Sequence, residues 1–184
     1  MLNDQDNARK WSSLYEEAQQ LSSASEGLYS KLLKRITPER YGEATFLNSG
    51  AMKEVFVRED SHTQREIAFA TLNESKEEYR ESFLREAVLT ASLEHPNIIP
   101  IYDIGLDETG RPYFTMKLIR GDDLCHIVAN LKNDDKKSQV KYPLPVLLDI
   151  FLKVCEAMVF AHAKGVLHLD LKPANVRISS HGEV

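Results

Sequence analysis

Three residue types that serve phosphoryl transfer stand close together near one end of the 184-residue chain. In His168-Leu169-Asp170-Leu171-Lys172-Pro173-Ala174-Asn175, Lys172 follows Asp170 by two positions and Asn175 follows it by five. A carboxylate can orient a nucleophilic hydroxyl and accept its proton. An ammonium can neutralise charge on the moving phosphoryl group, and an amide oxygen can help to hold Mg²⁺.

The elements that must position these groups change character along the chain. Residues 1–40 are polar, with Leu14, Ala18, Leu21, Leu28 and Leu32 on one helical stripe. Gly27 weakens its middle and Pro38 ends it, so two short helices are expected. That stripe can pack on the adjoining domain or receive a partner, and the pattern leaves both open. Residues 46–47, 54–58 and 66–72 read as strands, with polar turns over 48–52 and 59–64. A helix is expected over 77–93, carrying Phe83, Leu84, Ala87, Val88 and Ala91, and His95-Pro96-Asn97 breaks it. Two more strands, 98–104 and 112–119, flank the turn Asp107-Glu108-Thr109-Gly110. A helix over 124–131, a mobile charged loop over 133–141, an apolar helix over 146–164 and a short strand over 176–179 complete the reading. Five antiparallel strands with one helix, followed by helices, make an α+β arrangement.

Composition excludes several function classes. With 23 Lys+Arg against 28 Asp+Glu, the net charge of −5 gives no electropositive face for nucleic acid. The longest apolar-rich stretch, residues 143–154, is interrupted by Pro145, Asp149 and Lys153, well short of the roughly 20 residues of a bilayer span. The first residues carry neither a basic nor an apolar leader region. Cys125 and Cys155 have no metal-type spacing, so reduced thiols and a cytoplasmic location are expected.

The segment 168–175 resembles the catalytic loop of protein kinases, H-R-D-L-x-x-x-N. The resemblance covers residues 41–184 and is of the bacterial serine/threonine type. It implies a kinase-like fold: a five-stranded antiparallel N-lobe with one main helix, and the first helices of an α-helical C-lobe. The implied divisions are a helical extension at 1–40, the N-lobe and hinge at 41–119, and a partial C-lobe at 120–184. ATP and Mg²⁺ are the implied cofactors, and a protein hydroxyl is the implied acceptor. By the same resemblance Asp170 is the base, Lys172 the phosphate partner and Asn175 a Mg²⁺ ligand. Val55 and Ala68 flank the adenine, Met116 guards the back pocket, and Lys117, Leu118 and Ile119 offer backbone groups to the base. Lys172, two residues after the Asp, implies serine/threonine acceptors. His95-Pro96-Asn97-Ile98 resembles the turn that follows the N-lobe helix.

Two departures from the family pattern set expectations of their own. In the phosphate-covering turn Asn48-Ser49-Gly50-Ala51-Met52-Lys53 only the middle glycine, Gly50, matches the glycine-rich loop. The third strand, which in kinases ends on a lysine, reads Ile67-Ala68-Phe69-Ala70. Lys53 stands at the third-glycine position and, with a strand period of two, shares a face with Val55. This placement resembles the with-no-lysine kinases. It implies that Lys53 enters the space left by Ala70 and pairs with Glu86 of the N-lobe helix. The second departure is Leu169, which replaces the arginine before the catalytic Asp and implies that control through a phosphorylated activation loop is lost.

The D-F-G-type aspartate would come within about five residues of Val184 in this alignment. The expectation is therefore a kinase domain truncated after its catalytic loop, binding nucleotide weakly and transferring little by itself. The apolar positions of the helix over 146–164 are expected to face water. The alternative is a pseudokinase scaffold or interaction module.

Overall fold

The computed structural model describes residues 34–35, 40–50 and 52–184. The helices expected in 1–40 lie outside the described residues, apart from Lys34–Arg35, which form a strand instead. This strand, β1, is followed by β2 (Thr45–Ser49), β3 (Lys53–Asp60), β4 (Arg65–Leu72), β5 (Ile101–Leu106) and β6 (Pro112–Lys117) in one sheet of order β1-β5-β6-β4-β3-β2. The five strands from β2 to β6 are antiparallel, as expected. The two residues of β1 add to the open edge in parallel, Lys34 opposite Gly105 and Arg35 opposite Leu106.

Strand alternation gives the sheet two different faces. On one, Ala70, Leu72 and Phe114 pack with Phe83, Leu84 and Ala87 of helix α1 (Arg80–Ala91), and Val55, Ile101, Ile104 and Met116 border them. Phe83 and Ala87 are fully buried, which at roughly 1.5–3 kcal/mol per large side chain makes this the main anchor of α1. A 3-10 segment, Glu74–Tyr79, leads into α1, capped by the Asn73 side chain accepting from the Ser75 amide. On the other face Tyr41, Ile67, Phe69 and Tyr113 form an aromatic layer, with Phe69 and Tyr113 stacked at 4.7 Å.

A charged knot ties the start of the domain to both ends of the sheet. Arg40 Nη1 donates to Asp103 Oδ2 at 2.6 Å and Arg40 Nε to Asp60 Oδ1 at 3.3 Å. Tyr41 Oη donates to the same Asp103 oxygen at 3.2 Å. Burial, then the Asp103 charge, pushes the Tyr41 hydroxyl up to about 12. Burial alone would raise Asp60, but Arg40 and the His62 amide outweigh it and hold its carboxyl below the usual range. A depressed folded-state pKa contributes stability above the unfolded value, and that stability is lost as pH falls through the folded one. Arg40→Ala leaves the Asp60 carboxylate, only 4% exposed, without its main counter-charge. It is expected to cost about 2–3 kcal/mol. Urea denaturation at neutral pH measures the loss, which is expected to shrink as Asp60 is protonated.

The helical part is built from α2 (Leu124–Lys132), α3 (Lys136–Lys141) and α4 (Leu144–Ala163). Strands β7 (Gly121–Asp123) and β8 (Arg177–Ser179) pair beside them. Helix α3 corrects the expectation of a mobile loop over 133–141. Its six residues show no apolar period, but Asp135 caps it by accepting from the Ser138 amide at 2.8 Å. Strand β7 was also unforeseen. A Cβ on Gly121 would collide with the Ile178 carbonyl oxygen across the pair, so only glycine permits this approach. Helix α4 ends in a Schellman motif: Val166 donates to Ala161 O and Gly165, at φ 75°, to His162 O. One stripe of α4, containing Ile150, Ala157 and Ala161, is buried. Leu144, Leu148, Phe151, Leu152 and Val159 are exposed, so the expectation that the apolar positions of this helix face water holds for Phe151 and Val159 but not for Ile150 and Ala161, which pack inward. Among the described residues no helix is long and apolar enough to cross a membrane.

Candidate active site

Lys53 and Glu86 meet. Lys53 opens β3 and its Nζ lies 2.5 Å from Oε1 of Glu86 on α1. The cause is strand alternation. Val55, two residues on, turns the same way and packs on the cluster that holds α1. Val55 is paired with Ala70, and Ala70 with Phe114, in one row across the sheet. Ala70 is completely buried and ends at a methyl group, and its strand β4 lies between β3 and β6, so the Lys53 side chain reaches across β4 toward Phe114. Lys53 Nζ lies 5.4 Å from the centroid of the Phe114 ring. At 30% side-chain exposure the amine keeps access to solvent.

The residues expected to flank adenine are only partly free. Ala68 is 3% exposed and pairs with Met116, and Met116 borders the cluster around Phe83. In the hinge, the Lys117 amide donates to Pro100 O at 3.2 Å, and Ile119 O accepts from Arg177 Nη2 at 3.4 Å. Two of the hinge groups are thus already engaged, while Leu118 carries no such bond among the loop contacts. The Lys117 side chain leaves the site and pairs with Glu183 at 2.9 Å. Gly50 closes the β2–β3 turn by donating to Lys53 O at 2.8 Å. A Cβ there would lie 3.7 Å from the nearest atom, so the turn itself does not demand glycine.

The second cluster forms where a 3-10 turn, Pro173–Asn175, brings Asn175 back to Asp170. Asn175 Nδ2 donates to Asp170 O at 2.8 Å and to Asp170 Oδ2 at 3.2 Å. Lys172 Nζ lies 2.8 Å from the same carboxylate oxygen. The Lys172 ammonium first, then the Asn175 amide, hold the Asp170 carboxyl below the usual carboxylate range. Asp170 is therefore ionised at neutral pH and able to accept a hydrogen bond from a hydroxyl. Leu169 beside it is 94% exposed.

The donor chemistry around Asn175 fits Mg²⁺ in part. Its Nδ2 is spent on Asp170, which leaves Oδ1 as a hard oxygen donor next to a carboxylate. Mg²⁺ takes one or two such groups with phosphate oxygens and water. Among the described residues no cluster of three or more His, Cys, Asp or Glu side chains could hold a metal ion.

Two contributors were not foreseen. Phe114 underlies Lys53, and the alternation of Tyr113, Phe114, Thr115 and Met116 could have placed it on the face of Ala68 and Ala70. Arg177 grips the hinge through Ile119 O and Gly121 O, a contact that no local pattern announces.

A family model described as the protein kinase domain matches residues 41–184. The chain is 38% identical over 145 residues to the serine/threonine-protein kinase PknD of Protochlamydia amoebophila. It is 35% identical over 152 residues to PknD of Chlamydia muridarum. These matches cover 75% and 79% of this chain but only 15% and 16% of the relatives. Among solved structures, the PknI kinase domain of Mycobacterium tuberculosis is similar at a TM-score of 0.59 and 29% identity. That match covers 79% of this chain and 57% of the other.

Proposed function

The chain belongs to the protein kinase family, and from that premise we propose that it carries the phosphate-gripping and catalytic-loop residues of an ATP-dependent serine/threonine kinase. The γ-phosphoryl of ATP goes to a protein hydroxyl. Lys53, held by Glu86, neutralises the α- and β-phosphates from β3 in place of a lysine on β4. Asp170 orients the acceptor hydroxyl and takes its proton, Lys172 offsets charge on the moving phosphoryl, and Asn175 gives one oxygen to Mg²⁺. When bound, Mg²⁺ draws charge from the phosphate oxygens. Val55, Ala68 and Met116 enclose the adenine, the backbone at Lys117–Ile119 meets its edge, and Gly50 lies in the turn above the phosphates. The boundaries at residues 40/41 and 119/120 are those of extension, N-lobe with hinge, and C-lobe portion.

The observation that carries this reading is the 2.5 Å Lys53–Glu86 pair over a strand whose own lysine position is alanine. A cytoplasmic setting supplies ATP and keeps Cys125 and Cys155 as the free thiols they are. The acceptor is a protein, and the helical stripe from Leu14 to Leu32 is a candidate surface for a partner. With one Mg²⁺ oxygen from Asn175 and an exposed apolar stripe on α4, the 184-residue polypeptide binds nucleotide weakly and transfers little.

A pseudokinase scaffold is the competing reading, favoured by Ala70 and by the bare Leu169. Incubation with γ-labelled ATP, Mg²⁺ and a mixed protein substrate separates the two. The full polypeptide in which these residues occur is expected to place acid-stable label on serine and threonine. Nucleotide binding with no label above the Asp170→Asn background would favour the scaffold.

A further inference from the structure

Moving a lysine from β4 to β3 leaves its amine to reach across the neighbouring strand. On β4 the side chain would rise from Ala70 itself. From β3, Lys53 must cross diagonally, because its own register partner is Leu72 and not Ala70. Glu86 alone does not fix it, since an ion pair with partners 30% and 43% exposed holds two flexible stems weakly. The structure provides a floor. Phe114, the register partner of Ala70 on β6, presents its ring 5.4 Å from the Lys53 amine. That is within the distance at which an aromatic quadrupole attracts a cation. The ring is 3% exposed and lies 5.0 Å from Phe83, which is fully buried on α1.

Phe114 therefore touches both halves of the pair. Its face meets the amine of Lys53, and its contact with Phe83 sets the helix that carries Glu86. Ala70, whose side chain is a single methyl, stands beside Phe114 in the row that the lysine reaches across.

We infer that Phe114 is a positioning residue for the relocated lysine: its ring face holds the Lys53 ammonium where the triphosphate of a nucleotide arrives. The inference rests on the reading of Lys53 as the phosphate-gripping amine. It adds a third residue, so that the relocation is the set Lys53, Ala70 and Phe114 acting together.

The test uses the whole 184-residue chain with fluorinated phenylalanines at position 114, which keep the ring's size and weaken its quadrupole stepwise. Affinity for a non-hydrolysable ATP analogue with Mg²⁺ is expected to fall with each fluorine, by about three- to tenfold across the series. Adenosine affinity is expected to stay constant, and the same series at Phe83, which does not meet the amine, is expected to show no trend. Phe114→Tyr keeps the affinity and Phe114→Leu loses it. A second readout needs no nucleotide. The Lys53 ε-methylene protons, observed in lysine-labelled chain, are expected to carry a ring-current shift that Phe114→Tyr retains and Phe114→Leu removes. Absence of that shift, or an equal trend at positions 114 and 83, overturns the inference. If the shift is present while Lys53→Met leaves triphosphate affinity unchanged, the gripping role of Lys53 is what fails and the ring contact stands.

Discussion

Lys53→Met is expected to slow phosphoryl transfer by about 10²- to 10³-fold, the usual cost of removing one preorganised stabilising group from an active site, here the ammonium on the α- and β-phosphates. Methionine keeps much of the stem volume, so the packing over Ala70 and Phe114 survives and the loss reports charge. Ala70→Met is not expected to act by removing charge, because no charge is there to remove. It crowds a fully buried position and acts through the fold. The informative partner is the double variant Lys53→Met with Ala70→Lys. It returns the ammonium to β4 and is expected to recover at least about tenfold of the lost rate. A rate unaffected by Lys53→Met would remove the relocated lysine from the mechanism. The assay belongs in the full polypeptide in which these residues occur, because the chain spans 15–16% of the length of the relatives it matches.

Asp170→Asn has a comparable effect by a different route. The amide cannot accept the hydroxyl proton, and the expected loss is about 10²- to 10⁴-fold in kcat. Asp170 is mostly exposed, so the fold is not expected to suffer. Nucleotide KM is expected to stay unchanged, since the Lys53–Glu86 pair is untouched. That split separates it from Lys53→Met, in which nucleotide affinity also falls. A pH signature accompanies it. Because Lys172 and Asn175 hold the Asp170 carboxyl low, the acid limb that it contributes lies below the ordinary aspartate value of about 3.9. The rate is therefore flat with respect to this group between about pH 6 and 8. Lys172→Ala removes the largest cause and is expected to move that limb upward. A limb that moves downward or stays in place would show that Lys172 does not set it.

The sequence disclosed these clusters because their logic is local. Asp170, Lys172 and Asn175 are neighbours in one turn, and a turn of that size leaves them little choice but to meet. Lys53 was legible from a paired anomaly, lysine absent at 70 and present at 53, read through strand alternation. The two long helices and most of the five antiparallel strands were legible because each is long enough to show a period, while β2 was read from the polar turn that follows its two apolar residues. What stayed hidden depends on contacts between distant segments or on pieces too short to have a period. The charged knot joins Arg40 to Asp103 across 63 positions, and nothing near either residue names the other. Strand β7 exists only because Gly121 lets the backbone approach β8. Helix α3 rests on one aspartate cap, in a stretch whose charges otherwise resemble a loop. Strand β1 has two residues and takes its conformation from the edge of β5. Phe114 carries no local mark of its role, since that role appears only once Lys53 reaches across the sheet to it.

The departure at position 169 fits the same logic. An arginine there would need an anionic partner, whereas Leu169 stands bare beside Asp170. It offers no charge for a phosphorylated loop to grip, and the site's electrostatics then rest on Lys53, Glu86, Lys172 and Asp170.

The most direct measurement compares how much the triphosphate adds to binding with and without the amine on β3. Affinities for adenosine and for a Mg²⁺-bound, non-hydrolysable ATP analogue are measured by titration for the chain and for Lys53→Met. The gain from adenosine to triphosphate is expected to be present in the chain and to drop by about tenfold or more in the variant, with adenosine affinity unchanged. An equal gain in both proteins would mean that another group holds the phosphates and that Lys53 is a surface lysine paired with Glu86.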